Sequence, residues 1–296
     1  MTITIIGGGI IGLTTAFELT ERGENVHLID AETSDYGTAD DGTALYPAAS
    51  HYAGGMLAPI AEVQFQQDAL FPLMTASADA YPSLMERLSR ATDLPTGYDT
   101  TGTLIVAADR ADAEHLQRTR SYYRDMNRPA DPVTPTQART LEPLLAPRIA
   151  GAVSIPSDHQ LHPRLMRRAL KDALTRRGVT FSTERVTDPD AGDIICTGLG
   201  AILHGDYPLR PVYGDILRLR APRPILKHVV RGYVNSRPVY LIPRPDGELC
   251  IGATSREDHR TLPAIDGVHQ LLRDAIRLVP AVEECELLEA NVGARP

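Results

Sequence analysis

Cysteine is scarce in this 296-residue chain: Cys196, Cys250 and Cys285 lie too far apart in the sequence to suggest a zinc cluster or a disulfide framework. No stretch approaches the ~18 consecutive apolar residues that span a bilayer, and no basic segment precedes an apolar core at the N-terminus, so neither a membrane span nor a secretion signal is expected. Positive charge is in deficit. Thirty Lys and Arg against 38 Asp and Glu leave a net charge of −8, which repels phosphate backbones and argues against nucleic acid as a partner. Also missing are H-E-x-x-H, a nucleophile elbow with Ser-His-Asp order, the D-x-D-x-D-G spacing of a calcium loop and any internal repeat. No metal site is expected, and the nine scattered histidines read as structural. What remains is an ordinary globular composition, 43% hydrophobic and 23% charged. At roughly 150 residues per domain the length suggests two domains, in a soluble, cytoplasmic protein.

The strongest signal lies in the first thirty residues. Thr2 to Ile6 is a β-branched run suited to a buried parallel strand. It leads directly into Gly7-Gly8-Gly9-Ile10-Ile11-Gly12, a G-x-G-x-x-G pattern, and then a helical stripe of Leu13, Ala16 and Phe17 that Gly23 stops. Val26 to Ile29 forms a second strand, ending on Asp30. In such a unit Gly7 permits the tight turn, Gly9 admits a pyrophosphate, and Gly12 lets helix pack on strand; the pyrophosphate meets free N–H groups at the helix start. Asp30 can accept hydrogen bonds from a ribose diol and would repel a 2′-phosphate, which favours NAD or FAD over NADP. These residues point to a dinucleotide without saying which.

Further along, Thr33 to Ala49 is polar and turn-rich and reads as an exposed excursion. Ser50 to Pro59 (SHYAGGMLAP) surrounds one methionine with small residues, which lets backbone approach a flat ring, although a flexible loop with a core Met suits the composition equally well. Helices are expected at Pro72–Ala91, Arg110–Arg128, Pro163–Arg177 and Val268–Leu278, and strands near Thr101–Val106, Val179–Thr183 and Asp193–Cys196. The basic outer face of the Pro163 helix lacks interleaved aromatics and reads as solvated. Thr197-Gly198-Leu199-Gly200 ends its strand in a form that lets backbone pass close beneath a cofactor. From Pro211 the texture turns to alternating strands, with a hairpin of Pro238–Arg244 and Leu249–Thr254 around Pro245-Asp246-Gly247. An antiparallel sheet after a βαβ region marks a second domain.

Taken together, the Gly7-Gly9-Gly12 fingerprint, Ala53-Gly54-Gly55-Met56-Leu57-Ala58-Pro59 with Glu62, Thr197-Gly198-Leu199-Gly200, Arg210-Pro211-Val212-Tyr213-Gly214, Tyr240-Leu241-Ile242-Pro243-Arg244, Gly252-Ala253-Thr254 and Gly293-Ala294-Arg295-Pro296 resemble the D-amino-acid oxidase superfamily of FAD-dependent amine oxidases. They come in the family's order over almost the whole chain, and the A-G-G-M-L-A-P segment leans towards its glycine oxidases of thiamine biosynthesis. The resemblance implies an α/β fold with a Rossmann-like FAD-binding domain (1–88 and 145–210), a substrate domain with a mainly antiparallel sheet (89–144 and 211–292), and the start of a return to the FAD domain at 293–296.

It also implies FAD as cofactor, held by Gly7, Gly9, Ile10, Ile11, Gly12, Asp30, Ala53, Gly54, Gly55, Met56, Leu57, Val186, Thr197, Gly198 and Gly200, with the backbone of Val186 meeting the adenine. Tyr240, Arg295 and Met56 are implied to bind substrate, the first two through its carboxylate. No side-chain catalytic base is obligatory in hydride transfer to a flavin, and none stands out. The implied activity is oxidation of glycine or a small amino acid to its imine with O2 reduced to H2O2, feeding thiamine thiazole synthesis. D-amino acids or sarcosine are alternative substrates, and the family's tetramers suggest a homo-oligomer. Members of the family continue beyond the position of Pro296, so a shortened chain, active or inactive, is a further expectation.

Overall fold

A computed structural model describes the chain apart from residues 32–36, 39–43, 46, 63–68, 126–128, 201–208 and 259. The elements begin with β1 (Thr2–Ile6), α1 (Ile10–Glu21), β2 (Asn25–Asp30) and the paired two-residue strands β3 (Gly37–Thr38) and β4 (Ala44–Leu45). Most of the excursion expected at 33–49 lies outside the described residues. Next come α2 (Ala49–Tyr52), β5 (Met56–Leu57), α3 (Phe71–Ala91), β6 (Thr103–Ala107), α4 (Arg110–Asp125), β7 (Asp131–Val133) and α5 (Pro135–Leu141). β8 (Gly151–Ile155), β9 (His159–Gln160), α6 (Pro163–Arg176), β10 (Thr180–Thr183) and β11 (Ile194–Ile195) follow. The last stretch holds β12 (Val212–Arg220), β13 (Val229–Val234), β14 (Arg237–Pro243), β15 (Glu248–Gly252), α7 (Ile265–Leu278) and β16 (Glu286–Arg295).

Two sheets organise these elements. The smaller is parallel, in the order β10-β2-β1-β11, with Ile5 opposite both Leu28 and Ile194. The apolar stripe of α1 and the inner face of α6 cover it, burying Leu13, Ala16, Phe17, Met166, Leu170 and Leu174. Complete burial of each large side chain contributes about 1.5–3 kcal/mol before entropy is counted. The larger sheet has the order β16-β12-β15-β14-β13-β6-β8-β7 and is antiparallel except where β13 meets β6. Its core face packs on α7 through Leu271, Ala275 and Leu278.

In two places the sheets divide the chain differently from the expected ranges. β8, within the span assigned to the FAD-binding domain, pairs with β6 and β7 in the larger sheet. Residues 293–295, expected to begin a return to the FAD domain, instead finish β16, paired with β12 through Val212 and Arg295.

Buried Asp158 ties the turn after β5 to the β8–β9 connection, accepting the N–H groups of Ala61 at 2.8 Å and Ile60 at 3.3 Å. Burial pushes its carboxyl up to about 7, against the pull of those two hydrogen bonds. The unfolded chain ionises this group near 3.8 while the fold keeps it protonated, so its contribution to stability is complete below that value. It declines as pH rises and is fully lost once pH passes about 7. Asp158→Asn is therefore expected to flatten the decline of Tm between these two values, the difference amounting to on the order of a few kcal/mol. Parallel pH series of thermal melts on the two proteins would check this, and identical slopes would count against it.

Candidate active site

Where β1 ends, Gly7 takes a φ of +108°, a left-handed conformation that side chains rarely adopt. A Cβ there would fall on the carbonyl of Cys196, and one on Gly12 would fall on the carbonyl of Gly7. The first turn of α1 thus lies directly on the sheet, with its N-cap, Gly9, lacking any side-chain cap. Backbone N–H groups at this end form the positive pole of the helix dipole, and Ser50 Oγ accepts from Ile10 at 3.2 Å. Ile11 is exposed beside them.

Asp30 closes β2 with its carboxylate against Gly8, close enough that a Cβ on Gly8 would meet it. A cavity of about 250 Å³ opens alongside, lined by Gly8, Asp30, Arg167, Ser182 and Thr183 among others. On the far side of the glycine turn the Thr197 hydroxyl is buried without a hydrogen-bond partner, followed by Gly198 at φ +55° and Gly200. Val186 is half-buried in the coil after β10. A glycine cradle, a helix start whose N-cap residue has no side chain, a carboxylate at the strand tip, a cavity and an unsatisfied hydroxyl fit a bound dinucleotide such as FAD.

The second half of the site lies where the Ala53–Leu57 segment meets the larger sheet. Ala53 is exposed, whereas Gly54 is buried: a Cβ on it would lie 2.8 Å from Ile242 Cδ1 and 3.0 Å from the Tyr240 ring. Gly55 has φ +88° against the carbonyl of Leu161. Buried Arg244 holds this segment, donating from Nη2 to the Gly54 carbonyl and from Nη1 to Gln160 Oε1 at 2.6 Å. Met56 pairs with Gln160, and its side chain joins Tyr52 and Tyr240 over Ile216, Val229, Ile242 and Cys250. Leu57 turns to the other core, beside α6.

Tyr240 lies across Gly252, where a Cβ would collide with its hydroxyl. Burial pushes that hydroxyl above the usual phenol range, while the charges of Arg295, Arg231 and Arg218 pull it down. Arg295 is exposed at the end of β16, and its Nη2 donates to the Thr254 carbonyl at 3.2 Å. Gly214 leaves it room: a Cβ there would stand 3.3 Å from Nη2.

Ion pairs brace this level, one across the two sheets and one within the larger sheet. Arg164 of α6 grips Glu289 of β16 with both terminal nitrogens, at 2.8 and 2.7 Å, and donates to the His51 carbonyl at 3.1 Å. Buried Arg218 donates to Glu248 at 2.5 Å.

The structure therefore gathers most of the expected residues into two groups, while Leu57 turns away to the other core. Gly7, Gly9, Ile10, Ile11, Gly12, Asp30, Thr197, Gly198 and Gly200 lie around the glycine turn, and Gly54, Met56 and Tyr240 lie together at the sheet, with Arg295 within electrostatic reach of Tyr240. Sequence reasoning missed Ser50, although it opens the small-residue segment already singled out. It also missed Arg244, which ends the Tyr240–Arg244 motif and whose burial shows only in three dimensions, and Thr254. Among the described residues no group of His, Cys, Asp and Glu could hold a metal ion, and no helix is long and apolar enough to cross a membrane.

A parallel βαβ sheet with a glycine cradle, joined to an antiparallel sheet that carries Tyr and Arg beside it, defines a flavin-dependent oxidoreductase. Residues 2–296 match the FAD dependent oxidoreductase (DAO) family, to which the chain belongs, with FAD as its cofactor. It is 30% identical to a glycine oxidase of Geobacillus kaustophilus, covering 99% of this chain and 81% of that protein. The crystal structure of glycine oxidase from Geobacillus kaustophilus superposes with a TM-score of 0.83 at 30% identity, over 99% of this chain and 82% of the other. A bifunctional ThiO/ThiG protein of Nostoc is 29% identical over 99% of this chain and 46% of its own length. The same fold recurs at 18% identity and a TM-score of 0.78 in an L-α-glycerophosphate oxidase of Mycoplasma pneumoniae solved with FAD bound, over 100% of this chain and 83% of that one.

Proposed function

We propose that this chain oxidises glycine, or an amino acid little larger, to the corresponding imine, with O2 reduced to H2O2 and the imine feeding assembly of the thiamine thiazole. FAD, when bound, supplies the two-electron acceptor that the chain's own side chains lack. Gly7, Gly9, Gly12 and the start of α1 would receive its pyrophosphate, Asp30 its ribose, and Thr197 and the Ala53–Leu57 segment its ring system.

The observation that carries this reading is Tyr240 on the sheet against Gly54 and Met56, with Arg295 within electrostatic reach of it. A guanidinium offers a planar fork to a carboxylate, and a phenol held above its usual range stays protonated and donates. Together they fix the substrate's acid end and leave its amine-bearing carbon towards Met56. The oxidation removes two electrons and two protons from the amine-bearing C–N unit, and O2 takes up the same number to give H2O2. The chain's contribution is orientation and exclusion of water.

The test is the visible spectrum of the purified protein before and after anaerobic glycine. A flavin band that bleaches supports the reading; a band that stays oxidised with glycine but bleaches with sarcosine or D-alanine replaces the substrate; one that stays oxidised with all three overturns it. Tyr240→Phe is expected to lower kcat/KM for glycine about tenfold, chiefly through KM, because the lost hydrogen bond reaches a charged group. Steady-state H2O2 release would show it, and an unchanged KM would remove Tyr240 from the substrate site.

A further inference from the structure

Among the fully buried carboxylates outside both groups is Asp215. It sits on β12 with no exposed surface, and strand alternation turns it to the opposite face from Gly214, beside which Arg295 lies. Its carboxylate accepts from Thr254 Oγ1 at 2.5 Å, from Arg256 Nε and Nη2 at 3.1 Å each, and from the Ala264 N–H at 3.2 Å. Gly267 of α7 is packed so closely that a Cβ there would meet it. The contacts converge on the connection between β15 and α7, which also pairs with β12 through reciprocal 2.8 Å hydrogen bonds between Tyr213 and Arg256.

Thr254 faces two ways. Its hydroxyl is bound to Asp215, as donor to the carboxylate and as acceptor of the Asp215 N–H at 2.8 Å, and its carbonyl holds Arg295 Nη2. Arg295 is otherwise an exposed, long side chain, and fixing such a chain on binding costs conformational entropy. A carbonyl already in place offsets part of that cost, provided that it is itself immobile. A buried carboxylate satisfied by four donors supplies that immobility.

We propose that Asp215 is a positioning residue for the substrate's carboxylate: it locks Thr254, and the Thr254 carbonyl aims the Arg295 guanidinium. This rests on the reading of Arg295 as the carboxylate ligand, so the experiment has to separate the two. The FAD-loaded enzyme is titrated with glycolate, which carries glycine's carboxylate without its amine, and binding is read from the perturbed flavin spectrum; KM and kcat for glycine, flavin content and Tm are measured alongside.

Asp215→Asn and Thr254→Val are each expected to weaken glycolate binding and raise KM by roughly tenfold or more, the effect of losing a charge-assisted hydrogen bond, with kcat within about threefold of the parent. Thr254→Ser, which keeps the hydroxyl, binds glycolate more tightly than Thr254→Val. If Asp215→Asn fails to fold, the Thr254 pair decides. Equal glycolate affinity in the two Thr254 variants overturns the proposal, as does an Asp215→Asn enzyme that loses kcat and flavin while keeping KM. Arg295→Ala separates the layers. If it loses glycolate while Asp215→Asn and Thr254→Val retain it, only the positioning role falls; if Arg295→Ala retains glycolate, the assignment of Arg295 falls and takes this proposal with it.

Discussion

Arg295→Ala is expected to lower kcat/KM for glycine by about a hundred- to a thousandfold, the cost of leaving a carboxylate without its charged partner. The guanidinium is exposed and donates to the Thr254 carbonyl, so its loss leaves the fold and the melting temperature nearly unchanged. Arg295→Lys restores the charge without the two-pronged fork and should recover only part of the deficit. Peroxide release across a glycine series would measure both variants. An alanine variant with near-parental kcat/KM would show that the carboxylate is held elsewhere.

Gly12→Ala is the second large effect: a colourless protein. The added methyl would fall on the Gly7 carbonyl, with Cys196 Cβ 3.4 Å away. Those neighbours are backbone and the Cβ of the residue that follows β11, rather than a pliant side-chain end. Either α1 lifts from the sheet or the glycine turn deforms, and each displaces the N–H groups meant for the pyrophosphate. Overpacking of this kind costs about 1–3 kcal/mol in the fold itself, and the misplaced cradle is expected to lower FAD affinity by more than about a hundredfold. Absorbance of the purified variant, with and without added FAD, is the measurement; a yellow protein with parental flavin content would show that the turn tolerates the methyl.

What could be read from sequence was local. β1, α1 and β2 form within thirty residues, and each carries its own cue: β-branching, a glycine turn, an apolar stripe, a stop at Gly23. The Pro163 helix was equally plain, because its inward positions repeat at helical spacing. β13 was not seen. Val229–Val234 is buried throughout yet contains Arg231 and Gly232, so neither alternation nor an unbroken apolar run marks it. Its burial comes from β6 and β14 on either side, and no window of sequence holds both partners. β8, a short run containing glycine and serine, was hidden for the same reason. The site followed this division. The glycine turn declared itself, Tyr240 and Arg295 entered through resemblance, and the buried charges that hold Gly54 and Thr254 in place, Arg244 and Asp215, look like surface residues until the sheet closes over them.

The sheet order also governs how the protein comes off the ribosome. β6, whose five residues are all buried, needs β8 on one side and β13 on the other, and the second is translated only after the whole of α6 and β11. Until then an apolar strand edge stands open on the nascent chain, an invitation to chaperones or to another copy. β12 is completed later still, since β15 and β16 flank it. Fragments ending near residue 200 inherit the open edge permanently, and slow, cool expression of the whole chain is the condition that favours its closure.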